Sequence, residues 1–321
     1  GQKLLCADAD LDIVAYGKDG LVVLRNEFVA EGDQIGTRVL TPVEQSEAFR
    51  AVKNVLTALP VDFDHDGDLD LVVSADAGIS LWLNRDDSTF VDHSKYSSLP
   101  PASSKINKLI AVDWDRNVSI DVLAFGSSSG GVLTNILHGQ LRWEPFSEES
   151  NVSFGNNSVA LVDADSNFSW DLLTITGTTQ ADDTGQFTWF GTSNADAGVT
   201  RFTKESVFKG QTANDFAVGD FDNDGFADAA TWNSTLDKKQ IAFYRGGPNA
   251  AFEEIFVMDL AVESPIHACE TADVDLDGDL DLILTCQDSV EVLTNEGGNA
   301  NNWIDIPIRA EDAKQAQKPN E

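Results

Sequence analysis

Positive charge is scarce in this sequence. Lysine and arginine total 21 against 54 aspartate and glutamate residues in a chain of 321, a formal net charge of −33. Phosphate backbones and anionic membranes are bound by clustered Lys and Arg, so nucleic acid and acidic lipid surfaces are excluded as electrostatic partners. The four histidines, His65, His93, His138 and His267, are scattered without a His-x-x-x-His pair, which argues against a zinc site. No apolar run approaches the roughly 20 residues of a membrane-spanning helix. No Gly-rich phosphate loop opens a helix. No signal peptide is visible, and the start at Gly1 reads as a processed or trimmed end.

What is abundant is aspartate, and its placement is periodic. Asp62-Phe-Asp-His-Asp-Gly-Asp-Leu-Asp70, Asp220-Phe-Asp-Asn-Asp-Gly-Phe-Ala-Asp228 and Asp273-Val-Asp-Leu-Asp-Gly-Asp-Leu-Asp281 are near-copies. Each sets oxygen-bearing side chains at loop positions 1, 3, 5 and 9 with glycine at 6. Alternation in a tight loop turns carboxylates toward one point, and a hard cation such as Ca²⁺ binds through several oxygens. An EF-hand begins the same way but needs a bidentate Glu at position 12 and a helix on each side. Position 12 here is Val73, Thr231 or Leu284, and the flanks are short, apolar and partly β-branched, so each loop joins two strands.

Two degenerate copies keep the oxygen spacing. Asp113, Asp115, Asn117, Ser119 and Asp121 form one, and Asp163, Asp165, Asn167, Ser169 and Asp171 the other, with Val118 or Phe168 in place of glycine. A shortened sixth copy, Asp8-Ala-Asp-Leu-Asp12, is expected to be empty of metal. Motif starts at 8, 62, 113, 163, 220 and 273 recur every 50–57 residues, a period that signals propeller blades. Each repeat also offers an apolar strand before the loop, one after it, a third such as Gly78–Asn84, and a fourth beginning near Phe28, Phe90, Trp143, Phe202, Phe252 or Trp303. The expectation is an all-β, six-bladed β-propeller of four-stranded antiparallel blades, seven if one lies outside this chain. It would span residues 1–308 as a single domain, with residues 2–7 as the first innermost strand, Trp303–Ile308 as the last outermost strand and a polar tail over 309–321.

The block Ala217-Val-Gly-Asp-Phe-Asp-Asn-Asp-Gly-Phe-Ala-Asp228 resembles an FG-GAP or VCBS repeat, the unit of the integrin α-subunit propeller. The stretch Asn295-Glu-Gly-Gly-Asn-Ala-Asn-Asn-Trp-Ile-Asp305 resembles the junction in UnbV-like and cartilage-acidic-protein-like secreted proteins. The resemblance implies that the Asp-rich loops hold Ca²⁺. It carries Asp62, Asp64, Asp66 and Asp70, Asp220, Asp222, Asp224 and Asp228, and Asp273, Asp275, Asp277 and Asp281 over as ligands. Position 7 contributes its backbone carbonyl in that family, which sets the side chains of Asp68 and Asp279 apart. Three strong sites and two weaker ones, the latter through Asp113, Asp115, Asn117 and Asp121 and through Asp163, Asp165, Asn167 and Asp171, are thus expected.

The six loops hold 23 of the 54 acidic residues, so most of the excess charge belongs to them. Millimolar extracellular Ca²⁺ would keep open loops filled where cytosolic levels would not, which favours an exported protein, extracellular, at a cell surface or periplasmic. Cys269 and Cys286 flank the last loop and by index should lie nearly opposite, leaving either a disulfide or two buried thiols. Gly126-Ser-Ser-Ser-Gly130 fits the nucleophile-elbow pattern but sits between two apolar strand segments, so it reads as a turn. Five glycosylation-type sequons, at Asn117, Asn151, Asn156, Asn167 and Asn233, read as chance in an Asn- and Ser-rich chain. Trp82 and Trp189 fall in third strands as packing residues. The function expected is that of a binding, adhesion or scaffolding module. It would take a protein or glycan at the propeller end opposite the metal loops, and Arg50, Tyr96, Lys105, Trp232 and Lys238 are candidate contacts. The module can also form part of a larger multidomain protein. The alternative is a propeller-type polysaccharide lyase or sugar dehydratase, which needs a basic or Tyr/His constellation that the sequence does not show.

Overall fold

A computed structural model describes residues 12–29, 37–85, 89–126, 130–136, 139–146, 159–176, 185–193, 201–207, 213–233, 239–261 and 264–297. They form six antiparallel sheets, each made of strands consecutive in sequence. The first sheet holds β1 (Ile13–Gly17), β2 (Gly20–Val29) and β3 (Thr37–Pro42), and the second β4 (Val55–Val61), β5 (Asp70–Ala75), β6 (Gly78–Asn84) and β7 (Phe90–Asp92). The third holds β8 (Ile106–Val112), β9 (Asp121–Gly126), β10 (Gly130–Asn135) and β11 (Leu141–Pro145). The fourth is β12 (Val159–Val162), β13 (Asp171–Thr176), β14 (Gln186–Ser193) and β15 (Arg201–Val207). The fifth is β16 (Asp215–Gly219), β17 (Asp228–Trp232), β18 (Gln240–Arg245) and β19 (Glu253–Asp259), and the sixth β20 (Ile266–Ala272), β21 (Asp281–Cys286) and β22 (Val290–Leu293). The strands expected at 2–7 and Trp303–Ile308 lie outside the described residues. Among the described residues no helix is long and apolar enough to cross a membrane.

The chain packs as two compact units, one holding the first three sheets up to Phe146 and the other the last three from Ser147 to Arg309. Within each unit the cores lie between neighbouring sheets. Leu71, Val73 and Ala75 of β5 pack with Val23 and Phe49 on one side, while Val72 packs with Ile106, Leu109, Val122 and Leu133 on the other. A strand that buries both faces must be apolar throughout, and every residue of β5 and β9 is buried. In the second unit Ala229 faces Leu173 and Phe187, whereas Ala230 faces Leu282 and Leu284. Phe49 comes from a short helix, α1 (Glu47–Ala51), capped by Ser46, and stacks near Trp82 and Phe90 with centroids 5.1 and 5.4 Å away.

Three expectations change. Phe28 does not open a fourth segment: β2 runs through to Val29, with Phe28 paired to Arg38, and the next strand starts at Thr37. Trp232 ends β17 with 2% of its surface exposed, packed on Ile241 and Leu284, so it is core and not a contact residue. Cys269 and Cys286 are free thiols, one of the two outcomes expected, but they do not lie opposite each other: the ladder pairs Cys269 with Leu284 and Cys286 with Ile266. The Gly126–Gly130 segment joins paired strands β9 and β10, which removes the helix that a nucleophile elbow requires.

Candidate metal centres in the Asp-rich loops

Five loops, each between the first two long strands of its sheet, repeat one hydrogen-bonded design. The position-1 Asp accepts from the backbone N–H at position 6, from Gly67 to Asp62, Val118 to Asp113, Phe168 to Asp163, Gly225 to Asp220 and Gly278 to Asp273, at 2.9–3.1 Å. The position-5 side chain accepts from position 7, as from Asp68 to Asp66, Ser119 to Asn117, Ser169 to Asn167, Phe226 to Asp224 and Asp279 to Asp277. These bonds wind the loop around its own carboxylates. In every loop the residues at positions 4 and 6 have positive φ: His65 and Gly67, Arg116 and Val118, Ser166 and Phe168, Asn223 and Gly225, Leu276 and Gly278.

Position 6 explains the glycine, and position 4 goes unmarked in the sequence because Asn, His, Ser, Arg and Leu all occur there. A β-branched residue is a steric outlier at positive φ, yet Val118 sits at φ 78° with 81% of its surface exposed. Val118→Gly should therefore raise stability by about 1 kcal/mol, the relieved strain exceeding glycine's entropic cost. A lower melting temperature in that variant would show that the site carries no strain.

Each loop gathers three carboxylates with one oxygen apiece, all within 4.8 Å of one another. The sets are Asp62, Asp64 and Asp66; Asp113, Asp115 and Asp121; Asp163, Asp165 and Asp171; Asp220, Asp222 and Asp228; and Asp273, Asp275 and Asp281. Burial, with the neighbouring Asp66 and Asp62 charges, raises the Asp64 carboxyl above its ordinary range. Partial desolvation does the same to Asp222, helped by Asp224, and the exposed Asp275 is raised by the slight desolvation of its loop and by the Asp277 charge. The Oδ1 of Asp62, a member of its loop's set, is shielded from solvent with no hydrogen-bond donor. Hard oxygens, mutual repulsion and an undonated buried acceptor are what a divalent cation would satisfy, so these residues fit one.

The position-9 Asp does something the spacing alone does not reveal. Its Oδ2 accepts from the N–H at loop position 2: Phe63 to Asp70, Trp114 to Asp121, Ala164 to Asp171, Phe221 to Asp228 and Val274 to Asp281. Its Oδ1 accepts from the end of the third strand: Asn84 to Asp70, Asn135 to Asp121, Gly246 to Asp228 and Asn295 to Asp281. Asp70 is fully buried, and burial pushes its carboxyl up to about 8 against the lowering pull of those two N–H groups. Asp228, buried in the same way, is pushed up to about 6. Asp12 accepts from Asn26 at 2.8 Å, so in the shortened first loop it takes this clamping role. Asp8 and Asp10 lie outside the described residues.

Two of the third-strand asparagines extend the clamp to the preceding sheet. Asn135 Nδ2 donates to Phe63 O at 2.8 Å and to Ile120 O at 3.2 Å, and Asn295 Nδ2 donates to Phe221 O at 2.6 Å. Sequence reasoning missed these residues, although Asn84, Asn135 and Asn295 each stand 14 residues after the closing Asp. In the fifth sheet Gly246 replaces Asn, since a Cβ there would collide with the Ala227 carbonyl. The position-7 side chains of Asp68 and Asp279 are almost fully buried, and Asp279 accepts at 3.1 Å from Asn223 in the preceding loop. In the two degenerate loops Asn117 and Asn167 donate their amides to Asp115 and Asp165 at 2.9 Å, a neutral substitute for part of a cation's work.

Of the contact candidates, Arg50, Tyr96 and Lys105 are exposed at the strand ends away from the loops, before β4, after β7 and before β8. Tyr96 packs on His93 at 4.6 Å and carries the Lys95 ammonium 4.7 Å from its ring centre. Lys238 lies outside the described residues.

Residues 62–124 match the model of the FG-GAP-like repeat. No curated protein matches the chain. Among solved structures, a lectin of Agrocybe aegerita, described as specifically recognising non-reducing terminal N-acetylglucosamine, matches with a TM-score of 0.52 at 15% identity. The match covers 89% of this chain and 77% of the lectin, a likeness of fold. The fold is thus that of a propeller-like all-β protein, and residues 62–124 are similar to an FG-GAP-like repeat.

Proposed function

We propose that this chain is an exported calcium-binding module that recognises a glycan or protein at the end opposite its Asp-rich loops. The observation that supports the metal reading best is the fivefold repetition of three carboxylate oxygens within 4.8 Å on one hydrogen-bonded loop design. The three complete loops would hold Ca²⁺ most strongly and the two Asn-containing loops more weakly. When bound, the cation supplies positive charge that joins the two strands flanking its loop, a structural role. Its residence in open loops at millimolar Ca²⁺ is the reason for placing the protein outside the cytosol. Recognition rather than catalysis is supported by the exposed Tyr96, Arg50 and Lys105 on a rigid scaffold. The lectin's described sugar makes N-acetylglucosamine-terminated glycans the first ligands to try.

A glycan array probed with and without calcium, with Tyr96→Ala and Arg50→Ala alongside, tests this reading. Saturable binding should weaken about tenfold in a contact variant, which is about 1.4 kcal/mol, with the melting temperature unchanged. Turnover of an acidic polysaccharide would instead make the protein a lyase. Binding that ignores both substitutions would move the ligand site elsewhere.

A further inference from the structure

The fifth loop carries a side chain that the other four described loops do not. Arg245 ends β18, and its Nη2 lies 2.7 Å from Asp222 Oδ2 and 3.0 Å from Asp224 Oδ2. Register identifies the corresponding positions. Arg245 immediately precedes Gly246, the N–H donor to the clamping Asp228, and the residues before the equivalent donors Asn84, Asn135 and Asn295 are Leu83, Thr134 and Thr294. In the fourth sheet the pairing of Leu172 with Phe190 puts Gly191 at that place. All four are uncharged. The fifth loop therefore already has a tethered cation on two of its carboxylates, one of which, Asp222, belongs to its three-carboxylate set.

We propose that Arg245 is a built-in competitor for the metal of the fifth loop, lowering that loop's calcium affinity below that of the other two complete loops. The proposal rests on the calcium reading above. A guanidinium and a divalent ion against the same carboxylate repel one another, so filling the loop requires the arginine to leave Asp222. It has somewhere to go. Asp222 and Arg245 border a cavity of about 510 Å³, whose walls include Phe243, Phe256 and Asn295, and the Arg245 side chain is about half exposed. The coupling is reciprocal, so a filled loop releases the guanidinium toward that cavity. Arg25 holds the same register position in the first sheet, before Asn26, whose N–H bonds Asp12.

Native mass spectrometry across a calcium titration, counting ions bound to the wild type, R245L, R245Q and the double variant D222N/R245L, tests the proposal. One ion should half-fill at about tenfold lower calcium in both single variants, within the usual range of 5- to 150-fold for coupled sites. The gain should vanish in the double variant. Superimposable titrations, or weaker binding in R245L and R245Q, would overturn the proposal and make Arg245 an organiser of the loop. A wild type that takes up no calcium at any loop would instead overturn the calcium reading itself. R245Q keeps a polar side chain without the charge where R245L is apolar, so agreement between the two single variants excludes a folding artefact.

Discussion

Chelating calcium should lower the unfolding temperature of the second unit, which holds two complete loops, by roughly 10–20 °C. An ion present at about 100 times its Kd and binding only the folded state adds about 2.7 kcal/mol per site. A unit of this size shifts by about 2–4 °C per kcal/mol. The first unit, with one complete loop, should move about half as far. Asp64→Ala or Asp275→Ala should remove one ion by elemental analysis and lower stability in calcium, with little effect in chelator. A wild-type melting curve indifferent to chelator would sink the structural role of the metal. Acidity supplies a second readout. In the metal-free protein the Asp70 carboxyl is pushed up to about 8 and that of Asp228 to about 6, both above the ordinary value near 4. The folded state then binds more protons than the unfolded one, so stability in chelator should fall as pH rises from about 4 to 8. With calcium in excess that decline should flatten or reverse, because the ion favours the deprotonated carboxylates.

Asp70→Ala should destabilise the protein by about 2–6 kcal/mol, and by a similar amount with or without calcium. The substitution removes the acceptor for the N–H groups of Phe63 and Asn84 at a site with no solvent exposure. Each buried donor left without a partner costs about 1–3 kcal/mol. Asp70→Asn keeps one acceptor oxygen and the volume, so it should cost less. Denaturant unfolding in calcium and in chelator separates the two roles of aspartate in these loops. Loss at Asp64 should require the metal, whereas loss at Asp70 should not. If Asp70→Ala were harmful only in calcium, Asp70 would be a ligand first and the clamp a secondary effect.

Sequence periodicity alone determined the strand-loop-strand unit, its five copies among the described residues and their five sets of clustered carboxylates. Alternation and tight-loop geometry act over nine residues, and local rules suffice at that range. The clamp was out of reach, because Asp70 and Asn84 are tied by a hydrogen bond across a hairpin and look like an ordinary acid and an ordinary strand-end amide. Asn135 reaches Phe63 over 72 positions, which no spacing rule detects. The separation of Cys269 from Cys286 is equally silent, since the ladder sets Cys269 against Leu284 and the loop spacing does not fix a hairpin's register to within two residues. Trp232 and Phe49 became core residues only once neighbouring sheets closed on them. Arg245 shows the same division most plainly: a lone arginine at a strand end acquires meaning when the hairpin folds it over Asp222 and Asp224. The sequence by itself decided which atoms gather within each loop, because they are bonded neighbours of one turn. Only the tertiary structure decided which loops are clamped, braced or already occupied by a charge, because those contacts come from strands brought alongside by packing.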